Sequence, residues 1–280
     1  DIAGGLYAQK PAVGAFHVDK APIVPALEDG NTLVLYIDAD CTEPDHDGSS
    51  WAKAYRSIND AISFFAALNT GENVGVAGSG THQISDDTQF EIRVLEGDLW
   101  PRYAFVNEDP KTATLDILAM QSGRPLKIVG GYYRNEGGND VQRDPLNHRS
   151  QLNGNHDGDN LEDGLYHVVT VEPGAKVELD GFHVINGYAA GTASLQYGAG
   201  MLVRGNAYVT LTNCIFENNK AANGAAIYAA DAGHELTMRN CVVNNNTNTN
   251  EQNQIIVANN LTLQHVTVVN NLGAAPANNN

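Results

Sequence analysis

A parallel β-solenoid is the fold this sequence predicts, and three observations predict it. An apolar segment closed by Asn is written four times, as LDGFHVING (179–187), LTNCIFENN (211–219), MRNCVVNNN (238–246) and LQHVTVVNN (263–271). The four align without gaps from Val177, Val209, Leu236 and Leu261, at a period of about 25 to 30 residues, the range of solenoid repeats. No helical pattern separates them, which removes βαβ units, and strands this short at this period do not close a sandwich. One coil per repeat, each stacked on the last, is what remains.

The elements follow in order. Residues 1–32 carry Pro11, Pro22 and Pro25 with little periodicity and read as an extended arm. TLVLYIDAD (32–40) has the β-branched and aromatic content of a strand and runs into the acidic, turn-rich CTEPDHDGSS. Ser49 or Ser50 can cap a helix starting near Trp51, because Trp51, Ala54, Tyr55, Ile58, Ala61, Ile62 and Phe65 recur at helical spacing, and Asn69 and Gly71 stop it. Short β-like pieces such as EIRVLEG and TATLDILAM fill 72–125, so 33–125 reads as an N-terminal cap with the first irregular coils. The repeat takes over in 126–280, with a second, weaker strand between its copies in GAGMLV (198–203), GAAIYA (224–229) and NQIIVA (253–258). The helix before the coils is placed to cover their first end; the last coil runs out into NNLGAAPANNN with no comparable cap.

Stacking places like positions one strand spacing apart, so columns form. Leu179, Leu211, Met238 and Leu263 make one apolar column, Phe182, Cys214, Cys241 and Val266 a second, and Val184, Phe216, Val243 and Val268 a third. Asn186, Asn218, Asn245 and Asn270 stand at the coil corner, where Asn tolerates a left-handed backbone and its amide can bond to the Asn above and below. Cys214 and Cys241, in one core column, read as stacked reduced thiols behaving as small apolar residues.

The balance of 16 Lys+Arg against 33 Asp+Glu, a formal charge of −17, opposes nucleic acid and anionic lipid as partners and disfavours polyanions unless cations bridge. No run of 18 apolar residues occurs, so no transmembrane segment is expected. The opening DIAGGLYAQK lacks the basic start and apolar core of a signal peptide; a mature, processed chain would begin this way, and so would a trimmed piece of a longer one. Three cysteines are too few for a disulfide framework and follow no zinc spacing.

YIDADCTEPDHDGSSWAKAYRSINDAI (36–62) resembles the opening of secreted bacterial right-handed parallel β-helix proteins of the pectin-lyase-like superfamily. LKIVGGYYRNEGG and QRDPLNHRSQLNGNHDGDN, within 126–160, are similar to the strand and acidic stretch that follow in those proteins. GAAI and FENN resemble the short repeats of chlamydial polymorphic outer-membrane proteins and of surface proteins with interchangeable C-terminal anchors. The resemblance covers about 33–280 and implies an all-β, right-handed parallel β-helix with an N-terminal capping helix, at the cell surface or outside the cell. It does not choose among lyases, hydrolases, adhesins and passenger domains.

The outward positions beside the core columns are Glu178, Thr210, Thr237 and Thr262, then His183, Ile215, Val242 and Thr267. A polysaccharide lyase needs a basic residue beside clustered carboxylates, and a hydrolase paired carboxylates; these columns show neither, and no catalytic residue is assigned. NGNHDGDNLED places Asn155, Asp157, Asp159, Glu162 and Asp163 within nine residues, oxygen donors that suit Ca²⁺, although Asx turns also use such residues. Trp100, Tyr132, Tyr133, Tyr188 and Tyr197 are aromatics expected on loops, where rings can stack on sugars. The expectation is therefore a secreted or surface-displayed module for binding, adhesion or assembly, with a glycan or a protein as partner. Self-assembly would run through the arm and terminal coil. The alternative is a carbohydrate-active enzyme of lyase or glycoside hydrolase type, or its inactive glycan-binding descendant.

Overall fold

The computed structural model describes residues 23–101, 109–136, 138, 140–155 and 160–276. Three parallel sheets run the length of a stack of coils. The first sheet carries, in spatial order, Thr32–Ile37, Gln89–Leu95, Leu126–Arg134, Lys176–Asp180, Tyr208–Thr212, Glu235–Arg239 and Leu261–Gln264. The second runs from Gly97–Leu99 through Ser150–Asn153, Phe182–Ile185, Ile215–Glu217 and Val242–Asn244 to Thr267–Val269. The third runs from Leu115–Ile117 through Val169–Val171, Met201–Val203 and Ile227–Ala229 to Ile256–Ala258. Each of the five coils starting at Gln89, Leu126, Lys176, Tyr208 and Glu235 lays one strand in each sheet, and the register is the one read from the sequence: Val177 pairs with Val209, Val209 with Leu236, and Leu236 with Leu261.

The apolar columns fill the interior. Leu179, Leu211 and Met238 are buried, as are Phe182, Cys214 and Cys241, and Val184, Phe216 and Val243. Both thiols are free. Cys214 Sγ lies 3.5 Å from the Leu179 carbonyl and burial pushes its thiol well up, so it stays protonated and packs as a small apolar group.

Each of the last four coils turns at two left-handed corners around its second strand. The first corner holds Gly181 (φ 81°), then Asn213, Asn240 and His265 (each φ 53°). The second holds Asn186, Asn218, Asn245 and Asn270 at φ 55–60°. Asn visits this region more readily than most residues because its short polar side chain bonds locally. The corner asparagines are not, however, the stacking ladder expected of them. Asn218 and Asn245 are exposed, and the ladder is built by the next residue in each coil. Asn219 and Asn246 are fully buried. The Gly187 N–H donates to Asn219 Oδ1 at 2.9 Å. The N–H and Nδ2 of Asn219 both donate to Asn246 Oδ1, at 3.1 and 3.0 Å. Those of Asn246 donate to Asn271 Oδ1, at 2.8 and 3.0 Å. A left-handed corner residue swings the following side chain inward, so backbone conformation and amide stacking fall to adjacent positions.

The helix also differs from its sequence pattern. Trp51–Lys53 form one 3₁₀ turn, and the α-helix is Ile58–Ala67. Between them the backbone is used for the sheet: the Tyr55 N–H donates to the Tyr36 carbonyl at 2.7 Å and the Asp38 N–H to the Tyr55 carbonyl at 2.9 Å. Ser57, extended at φ −126°, then caps the helix through the Asp60 N–H. Trp51 consequently lies outside the main core, edge-on to Tyr36 at 4.7 Å and beside Tyr132 at 5.1 Å. Tyr55, Ile58, Ile62 and Phe65 do cover the first coil, with Phe65 stacked on Phe90 at 4.5 Å.

The helix stands where a strand of the third sheet would precede Leu115–Ile117. Buried Asn59 serves that strand edge: its Nδ2 donates to the Thr114 carbonyl at 2.9 Å and its Oδ1 accepts from the Asp116 N–H at 3.0 Å. The first sheet is closed by Ala26–Glu28, antiparallel to Thr32–Ile37, so this part of 1–32 is a strand rather than an arm. Residues 1–22 of the expected arm lie outside the described residues. Arg93 clamps that edge strand by donating to both oxygens of Glu28, at 2.9 and 2.7 Å. At the other end Leu263, Val266 and Val268 are only partly buried, where their counterparts one coil earlier are fully so.

The ladder makes a sharp prediction. Replacing Asn246 by Leu orphans the N–H and one of the two Nδ2 hydrogens of Asn219, whose other bond to the Val184 carbonyl remains, at about 1–3 kcal/mol for each buried donor. Asn218→Gly keeps a residue suited to the left-handed corner and should change stability by less than about 0.5 kcal/mol. Denaturant melts of the two variants check the contrast; equal midpoints would show that the buried column carries no load.

Candidate functional site on the outer wall

The second sheet's outer face carries a polar network. Its outward rows are Asp98, Gln151, His183, Ile215, Val242 and Thr267, and, two residues on, Asn153, Ile185, Glu217, Asn244 and Val269. His183 faces outward yet is 5% exposed, held between Glu217 and Arg149. Arg149 can only donate, so His183 Nδ1 accepts from it at 3.5 Å and Nε2–H donates to Glu217 Oε2 at 3.0 Å. Burial, and then the Arg149 charge, push the imidazole pKa down against the opposing pull of Glu217. The ring is thus held neutral, in one tautomer. Glu217 Oε1 accepts from Asn244 at 2.8 Å. Asp98 accepts from Asn153 at 2.9 Å, and Asn153 in turn from Asn186 at 3.0 Å.

On the first sheet Asp180 faces Arg143 at 2.7 Å, and Glu91 faces Arg93 at 2.6 Å. Glu91, Asp98, Asp180 and Glu217 are each tied to neighbouring donors. The expected Thr row is present as Thr210, Thr237 and Thr262 in register.

Past the corner asparagines the wall continues into a short ribbon in which Tyr188 pairs with Lys220 and Lys220 with Thr247. Ala189 and Ala221 point inward and are buried. Beside them opens a groove of about 260 Å³, lined by Tyr188, Ala190, Gly191, Gln196, Lys220, Ala222 and Thr249. Small residues from three successive coils make the floor. Gln196 comes from the loop after Tyr188 and Lys220 from the next coil, its ammonium 5.1 Å from the Tyr188 ring centre. A ring, an amide and a hydroxyl converge there with no carboxylate in the lining.

The proposed cation donors are only partly placed. Asp157 and Asp159 lie outside the described residues. Asn155 is buried and its Nδ2 donates to the Asn160 carbonyl at 2.8 Å. Glu162 and Asp163 sit in the 3₁₀ turn Leu161–Asp163, where Lys111 Nζ donates to the Glu162 carbonyl at 2.6 Å and lies 3.9 Å from Asp163. Among the described residues no three His, Cys, Asp or Glu side chains gather as a metal site. Of the expected aromatics, Tyr188 lines the groove, Tyr133 stacks on His148 at 3.6 Å, and Tyr197 stacks on Tyr228 at 4.8 Å. Tyr132 packs beside Trp51, and Trp100 against Ala113 and Leu165.

Comparison with protein families agrees with this geometry. The family model for the right-handed beta helix region matches residues 151–272. This chain is a right-handed parallel β-helix. No curated protein and no solved structure matches it. No helix among the described residues is long and apolar enough to cross a membrane, which leaves strand-based spanning unaddressed.

The site residues that sequence reasoning missed are Gln196, Thr249 and the His183–Glu217 pair. The last had a signal, because the two positions fall on neighbouring outward rows of adjacent coils. Gln196 had none, being on a loop outside the repeat.

A second buried imidazole near the groove sets a pH dependence. His167 Nδ1–H donates to the Gly198 carbonyl at 3.1 Å, its Nε2 has no partner among the described residues, and burial lowers its pKa to about 4. The unfolded chain takes up this proton near pH 6.5, which the folded protein resists. The resulting stability is therefore complete above pH 6.5 and is lost as the pH falls toward 4, by up to about 3 kcal/mol. His183, shifted the same way, adds to the slope. Urea midpoints between pH 7 and 4 should fall less in His167→Asn than in the parent; parallel curves would contradict the assignment.

Proposed function

We propose that this protein is an extracellular or cell-surface β-helix that binds a glycan on its outer wall without cleaving it. The observation that carries the reading is the groove beside Tyr188. It offers a ring, the Gln196 amide and the Thr249 hydroxyl on a floor of alanines, the mixture that orients a sugar, with no carboxylate among the described lining residues to attack it. At the adjoining corner exposed Asn218 adds an amide the fold does not consume: its side chain makes no hydrogen bond among the described residues, because Asn219 does the stacking. A surface with a formal charge of −17 also favours ligands without dense negative charge.

The alternative, a carbohydrate-active enzyme, would draw on His183 and Glu217, already joined at 3.0 Å beside Arg149. A neutral imidazole anchored by a carboxylate can act as a base, but both nitrogens are occupied and the ring is covered.

Titration calorimetry against neutral oligosaccharides, with a reducing-end assay on the same mixtures, tests the proposal. Binding should fall about tenfold, or ~1.4 kcal/mol, in Tyr188→Ala, with no reducing ends released. Release of reducing ends that disappears in Glu217→Gln would replace binding with catalysis. Undiminished affinity in Tyr188→Ala would remove the groove from the account.

A further inference from the structure

Lys220 is the only charged group among the described residues that line the groove. Among the described residues seven cations face a carboxylate: Lys53 faces Asp47, Arg93 faces Glu28 and Glu91, Lys111 faces Asp163, Lys127 faces Glu91, Arg134 faces Asp38, Arg143 faces Asp180, and Arg204 faces Glu172. Lys220 has no carboxylate at ion-pair distance among the described residues. Glu217, three positions away, is turned across the corner toward His183 and Asn244. The ammonium rests instead near the Tyr188 ring, whose quadrupole offsets part of its desolvation without neutralising its charge. Lys176 is placed similarly over Tyr208, at 5.9 Å, but on the first sheet and away from this groove.

We infer that the groove takes a small organic carboxylate, with Lys220 as its charge partner and Gln196 and Thr249 as its hydrogen-bond partners. The inference rests on the same groove as the glycan reading and names the ligand's chemistry there. An unpaired ammonium in a protein of strongly negative formal charge is a local exception in the surface field, so one carboxylate is drawn to it while a polyanion is repelled by the surroundings. A volume near 260 Å³ lies just under the range of drug-sized sites, about 300–1,000 Å³, and so suits a single sugar ring or an acylated amino acid. The carboxylate can come from either, since both present the same anion beside a small polar body.

Three probes separate the possibilities: methyl glucuronide, methyl glucoside as its neutral counterpart, and N-acetylalanine as a carboxylate without a sugar. Calorimetry or ligand-observed NMR on the full chain should show the glucuronide binding about fivefold tighter than the glucoside, with the difference shrinking as salt rises. Lys220→Met should abolish that preference, and Lys176→Met should leave it in place. N-acetylalanine binding as well as the glucuronide would support the inference with the anion alone as the determinant; weaker binding would support it with a sugar acid as the source. Equal affinity for glucuronide and glucoside would overturn the inference and leave the glycan reading standing. Binding of N-acetylalanine with neither sugar bound would overturn the glycan reading and leave the carboxylate site. No binding of any probe would overturn both.

Discussion

A buried column of asparagine amides holds the coils of this protein in register. The Oδ1 atoms of Asn246 and Asn271 each accept two hydrogen bonds from the coil before, one from backbone and one from side chain, and Asn219 Oδ1 accepts one from the Gly187 N–H. Each Nδ2 also reaches a strand carbonyl, as Asn219 does to Val184 at 3.1 Å and Asn246 to Phe216 at 2.9 Å. Parallel strands alone fix spacing along the stack. The amides additionally fix where the chain leaves the second sheet, because a slip of one residue would bury a corner side chain and expose the ladder. The apolar columns depend on that registration, since Phe216 and Val243 fill the interior only if their coils turn at the same point.

The same repetition makes the ends of the stack a problem, and the N-terminal end is handled by two different devices. The first sheet's edge is given to an antiparallel strand, Ala26–Glu28, clamped by Arg93. The third sheet's edge is met by a helix whose Asn59 amide imitates a strand, offering one acceptor and one donor to the exposed backbone. A side-chain amide has the same donor and acceptor pair as a peptide group, so one buried Asn can close an edge that a helix backbone cannot. The amide thus appears twice as a structural group, between coils and at the cap.

Function on such a scaffold falls to what the repeat leaves unused. Inward positions are committed to packing and the Asn219–Asn246–Asn271 column to register. Outward rows are free to vary, and here they divide into a self-satisfied network around His183 and Glu217 and a groove around Tyr188 and Lys220. The network is rigid because its members satisfy one another. The groove exists because Ala190, Ala222 and Thr249 are small where the wall would otherwise be filled, and because the loop carrying Gln196 rises beside them.

The amino-acid sequence determined the solenoid, its sheet register and its core columns, because a translation repeat maps sequence periodicity directly onto spatial neighbours: Val177, Val209, Leu236 and Leu261 align in the chain and in the sheet alike. It determined that asparagines mark the corners, but not which of two adjacent ones points inward. That choice follows from the left-handed conformation at Asn218 and Asn245, which sends the next side chain toward the interior. The helix start was shifted by the same kind of competition: Tyr55 satisfies helical spacing, yet its backbone is claimed by the edge of the first sheet, a contact distant in sequence. Only the tertiary structure assembled the groove, whose lining is drawn from three coils and a loop outside the repeat. Periodicity reports which residues share a column; it carries no information on which neighbouring columns leave space between them.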